Sequence, residues 1–230
     1  MPSDLTSITD PRFILLAWAA GLALVAGYVS WVGKVGSGFT WLSAGSAGLI
    51  GLVGVFTSGE WWAWVGLAAL VGGLVWARSR AFAGPMLTLA GLVFFIEASL
   101  IGGWLPALTA GIALGGVTGE MMLGHWYLVD PRLPRWILRM LALVGILGLV
   151  ADGLVLSIVG GLPGGGAEVA FWALLATSFV LMVAVIGALR YPAYSAVMAA
   201  TGLSYLAVLT TLGSVFVGRA LVAELGPFAS

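Results

Sequence analysis

Four ionisable side chains fall inside long apolar runs of this chain. Glu97 sits in LVFFIEASLIG, Glu120 in VTGEMMLG and Asp152 in LGLVADGLVLS, and His125 follows Glu120 by five positions. A carboxylate in hydrocarbon is expensive to hold, so such residues face a bundle interior, find partners and mark pathways or sites. Glu97, Glu120 and Asp152 are therefore candidate proton-transfer groups that together supply an interrupted proton path. The same carboxyls, when protonated, are hydrogen-bond donors able to tie helices together, and residue type alone does not separate the two roles.

His125 is the only histidine. Five helical residues rotate it about 140° from Glu120, so the two do not form a two-ligand metal face, and no metal site is expected. A membrane haem needs an axial histidine and a second ligand. Haem is thus disfavoured within this chain alone; His–Met ligation or a haem shared with another subunit stays open. A quinone fits the residue types better. It asks for a flat apolar slot, aromatic contacts and a group that exchanges protons near neutral pH, and His125, Trp126 and Tyr127 supply these. The competing reading makes the same three an interfacial anchor, beside Arg132, Arg135 and Arg139 as ligands for anionic lipid phosphate.

These side chains need a frame, and composition says which kind. The chain is 61% hydrophobic and 8% charged, with a mean hydropathy of +1.14, against roughly 25% charged residues in a soluble domain. Such a chain is an all-α polytopic membrane bundle with short loops, read as one integral membrane domain over 1–230. On the ruler of about 20 apolar residues per crossing, eight spans are expected: Arg12–Val32, Thr40–Thr57, Trp61–Ala77, Pro85–Gly102, Leu105–Leu128, Arg135–Val159, Glu168–Leu189 and Ala193–Arg219. The second and third are short, and a seven-span alternative is open. A tail, MPSDLTSITD, precedes the first span and lacks the pattern of a secretory signal. The glycines from Gly160 to Gly166 around Pro163 suggest a hinge.

Eight spans put Lys34, Arg78, Arg80, Arg132, Arg135, Arg139 and Arg190 on one face, leaving Arg12 and Arg219 for the other. The positive-inside rule then makes the first face cytoplasmic and places both termini outside, in a bacterial or archaeal cytoplasmic membrane. Ten tryptophans, from Trp31 to Trp172, fall near span ends, where amphipathic rings favour the headgroup level. Gly111, Gly115 and Gly119 form one small-residue row on the fifth span; Gly116, Glu120 and Gly124 form a second beside it. Such rows allow close backbone approach.

Other classes are excluded or disfavoured. There is no cysteine, hence no thiolate chemistry. There is no asparagine or glutamine, which disfavours a carrier of polar neutral solutes. Zero net charge offers nothing for nucleic acid, and no phosphate loop, serine-nucleophile or HExxH pattern is present. The function this points to is a quinone-interacting subunit of a proton-coupled redox system. The alternatives are a proton- or cation-coupled transporter of a small or lipophilic substrate, and a structural or assembly protein. Membrane lipids are the expected partners, with further membrane subunits as an open addition.

Overall fold

The computed structural model describes residues 10–58, 60–160 and 165–225. The N-terminal tail and most of the glycine stretch around Pro163 lie outside them. The described residues form eight helices and no strand: α1 (Pro11–Val32), α2 (Ser37–Ser58), α3 (Ala63–Val75), α4 (Arg80–Gly102), α5 (Trp104–Val129), α6 (Arg135–Gly160), α7 (Gly166–Ala188) and α8 (Tyr194–Leu225). All but α3 are long and apolar enough to cross a membrane, which marks the chain as an integral membrane protein built as a helical bundle.

Helix ends follow local chemistry. Asp10 caps α1 by accepting the Arg12 backbone N–H at 2.9 Å, Pro11 occupies the first turn, and Gly33 closes the helix at φ 67°, ψ 21°. That left-handed closing position is one only glycine takes without cost. α4 begins at Arg80, ahead of the expected Pro85. The Ser79 carbonyl accepts from Phe82 and Ala83 and starts the helix early, with Pro85 carried in its second turn. α8 runs on to Leu225, past the expected end at Arg219.

α3 has 13 residues, a rise of about 20 Å, short of the roughly 30 Å hydrocarbon core. Flanking turns lengthen the segment along the bundle. Trp62, just before it, shares a pocket with Arg12 and Glu97; Ala77, just after it, shares one with Ser30 and Thr40 at the opposite end of α1. Gly66 packs under Phe94 and Gly73 under Leu87, so α3 runs antiparallel to α4.

The helices pack as two four-membered rings. α1 packs on α2 and α4, with α3 closing the ring; α5 packs on α6 and α8, with α7 closing the second. One connectivity is thus used twice, although the sequence carries no convincing internal repeat. The rings meet along α1 and α5, which have 72% and 83% of their apolar windows buried, against 28% for α7. Glycine makes this possible: a Cβ on Gly21 would overlap the Gly111 carbonyl, and one on Gly115 would overlap the Gly21 backbone. Large apolar side chains such as Leu49, Leu100, Leu147, Ile158 and Leu209 are exposed, as lipid-facing surface must be.

The four basic connections gather on one face. Arg135 donates to the carbonyls of Tyr191 and, at 2.6 Å, Pro192; Tyr194 donates to Leu128 at 3.3 Å. Trp126 lies against Gly38, joining this cluster to the α1–α2 turn.

Candidate functional site

Glu120 sits where α5, α6 and α8 meet. Gly116 and Gly124, a turn to either side, admit Gly145 of α6 and Thr201 of α8 against the α5 backbone. The carboxyl between them is fully enclosed, at 0% exposure. Its Oε2 makes a short hydrogen bond with Ser204 Oγ, which also donates to the Ala200 carbonyl at 2.8 Å. A serine has one hydroxyl proton. Ser204 Oγ is the donor in both contacts, and a protonated Glu120 donating to Ser204 would give each contact a proton of its own. Glu120 Oε1 has no hydrogen-bond partner among the described residues.

The buried face of α8 continues this polar seam. Thr201, Ser204, Thr211, Ser214 and Arg219 are all buried, and from first to last they span about 27 Å of helix. Thr201 donates to Val197 and Ser214 to Thr211, while Thr211 Oγ1 has no partner among the described residues.

Asp152 is held very differently. Arg219 grips it in a two-pronged ion pair, Nη2 to Oδ1 at 2.7 Å and Nη1 to Oδ2 at 3.0 Å, with both side chains essentially unexposed. Thr109 donates to Oδ1 at 2.6 Å, and Arg219 Nη2 also reaches the Pro106 carbonyl at 3.0 Å. The Phe13 ring lies 5.5 Å from the guanidinium carbon. This cluster joins α1, α5, α6 and α8. The expected end of the last span at Arg219 is corrected: α8 runs on to Leu225, and Arg219 lies inside the bundle opposite a charge that needs it. Asp152 lacks a free oxygen for other work.

Glu97 is also buried, at 2% exposure. It lines a pocket of about 310 Å³ with Arg12, Glu60 and Trp62. Glu120 and Asp152 do not converge. Thr109, which marks the level of Asp152, and Glu120 are separated by 11 residues of α5, about 16 Å along the axis.

His125, Trp126 and Tyr127 do not line one slot, because successive helical residues turn by about 100°. His125 is exposed and its Nδ1 meets the Tyr205 hydroxyl on α8 at 3.2 Å. Trp126 faces Gly38 of α2. Tyr127 is buried against Arg135 of α6, whose Nε donates to its hydroxyl at 3.3 Å. The arginines also divide. Arg135 and Arg139 hold carbonyls at the end of α7 and in the turn after it, Arg139 donating to Leu189 at 2.6 Å. The Arg132 side chain is exposed.

An apolar groove of about 420 Å³ lies between the two rings, bounded by Gly21, Leu24, Gly111, Gly116, Met140 and Val144, and Glu120 is not part of its lining. Gly116 is one turn from Glu120, a rise of about 6 Å.

Compared with family models, characterised proteins and solved structures, the chain matches none. Residue reasoning missed Ser204, Tyr205, Thr211 and the pairing role of Arg219. A signal was present for the hydroxyls: Thr201, Ser204, Thr211 and Ser214 recur at spacings of three and seven, one face of a helix.

Proposed function

We propose that this protein is a proton-coupled transporter of a small lipophilic substrate, with Glu120 as the group that exchanges the proton. The observation that carries the reading is the proton count at Ser204: a fully buried carboxyl satisfies its neighbours as the acid, and keeps one oxygen unpartnered. Two further features support it. The apolar groove approaches Glu120 within one helical turn, and the buried hydroxyls of α8, Thr201 to Ser214, offer exchangeable protons over about 20 Å of helix. A lipophilic cation in the groove can replace the proton, because a carboxylate in hydrocarbon requires a compensating positive charge in either state. Asp152 and Arg219 are assigned to holding helices together. The asymmetry of the basic connections favours a cytoplasmic membrane of a bacterium or archaeon with both termini outside.

Proteoliposomes with an imposed pH gradient and tetraphenylphosphonium as a lipophilic cationic probe test the reading. The expected result is gradient-driven probe movement that falls to the level of empty liposomes in Glu120→Gln. Movement independent of the gradient, or undiminished in Glu120→Gln, contradicts it.

A second reading, the quinone-interacting subunit of a proton-coupled redox system, rests on the exposed His125–Tyr205 pair at one rim of the bundle. It predicts co-purifying quinone and loss of quinone-linked activity in His125→Ala; a quinone-free preparation whose activity ignores that substitution removes it.

A further inference from the structure

Arg135 and Arg139 bind backbone carbonyls, but the other basic cluster of this face does not. Arg78 follows α3 and Arg80 opens α4; both are exposed, and neither forms an ion pair among the described residues. They line a polar pocket of about 220 Å³ with Ser30, Ser37 and Thr40. The Arg80 guanidinium lies over Gly33, beside the pocket.

Three further features bias this pocket toward an anion. It opens at the N-termini of two long helices, α2 at Ser37 and α4 at Arg80, and unsatisfied N–H groups and the helix dipole make such ends electropositive. No acid lies in the first turn of either helix or in the pocket wall. Ser30 and Thr40, exposed by only 6% and 3%, hydrogen-bond each other at 2.9 Å. One hydroxyl donates to the other, which leaves the second proton to be given elsewhere. Two guanidinium groups, a free hydroxyl donor and two helix N-termini are the recognition set for a phosphate oxygen cluster.

We infer that this pocket binds a phosphate group, carried either by an anionic lipid headgroup or by free phosphate. It lies in the first ring, apart from Glu120, and stands whether or not the protein is a transporter.

The full chain in neutral detergent, titrated calorimetrically with dihexanoylphosphatidylglycerol, dihexanoylphosphatidylcholine and inorganic phosphate, tests it. The expected result is tighter binding of the anionic lipid than the neutral one, weakened roughly tenfold or more by joint Arg78→Ala and Arg80→Ala substitution. Arg190→Ala, an exposed arginine of the same face, stays within about twofold. Inorganic phosphate binding with that dependence, without lipid preference, assigns the pocket to free phosphate. Arg78→Gln alone, which leaves Arg80 on Gly33, gives an intermediate loss and guards against misfolding of the double variant. Absence of binding by both anions, or binding indifferent to Arg78 and Arg80, overturns the inference.

Discussion

Glu120 and Asp152 are both buried acids, yet their neighbours ask opposite things of them. Asp152 meets a guanidinium, a hydroxyl donor and no competing acceptor, which is the setting of a carboxylate. Glu120 meets a hydroxyl whose single proton already has a carbonyl to serve. The substitutions should therefore separate. Asp152→Asn leaves Arg219 charged and unpaired in the interior, a loss of about 3–5 kcal/mol by analogy with broken buried pairs. Arg219→Met in the same background should recover much of it, as read by denaturation in detergent. Glu120→Gln keeps shape and gives Ser204 an N–H donor in place of O–H, so its stability cost should stay near 1 kcal/mol. A Glu120→Gln protein as unstable as Asp152→Asn argues that Glu120 is structural too.

At the scale of elements, the α1–α5 seam depends on absent side chains. Gly115→Val drives a branched side chain into the Gly21 backbone, and overpacking of this kind costs about 1–3 kcal/mol or more. A thermal scan shows it as a lowered midpoint; an unchanged midpoint means the rings do not meet there. The start of α1 offers a pH test. The Arg12 side chain holds the Asp10 carboxyl below its ordinary value of 3.8, and Arg12 Nη1 donates to the Thr57 carbonyl of α2 at 3.2 Å. A depressed acid contributes stability that is complete above its unfolded value and lost as pH falls through the folded one. Hydrogen exchange in the first turn of α1 should accelerate as pH drops below about 3.8, beyond its intrinsic pH dependence. Asp10→Ala should show that faster exchange already at neutral pH.

At the scale of the whole molecule, the spans were legible because lipid allows few solutions. Every backbone polar group must be satisfied within the segment, so long apolar runs announce helices. The side on which the basic turns gather was legible for the same reason, since one missed crossing scatters them. α3 was legible as an apolar helix but not as one of only 13 residues, because the tryptophans beside it prolong the apolar run. The sites were far less legible. His125, Trp126 and Tyr127 are adjacent in sequence and diverge in space through the helical step. Asp152 and Arg219 are 67 positions apart, and their pairing depends on the α5–α6 and α5–α8 registers, which no local pattern encodes. Arg135 and Arg139 resemble headgroup ligands in sequence, yet they hold backbone carbonyls because α7 ends beside α6. Arg78 and Arg80, in the other ring, line a polar pocket instead.

The central claim is that Glu120 exchanges a proton inside the bundle. Infrared difference spectroscopy of the protein in lipid bilayers, recorded across a pH jump, addresses it directly through the carbonyl stretch of a protonated carboxyl. The expected result is a band that changes with pH in the wild-type chain, disappears in Glu120→Gln and shifts in Ser204→Ala, which removes its hydrogen-bond partner. A band that survives Glu120→Gln, or the absence of any pH-dependent carboxyl band in the wild-type protein, contradicts it.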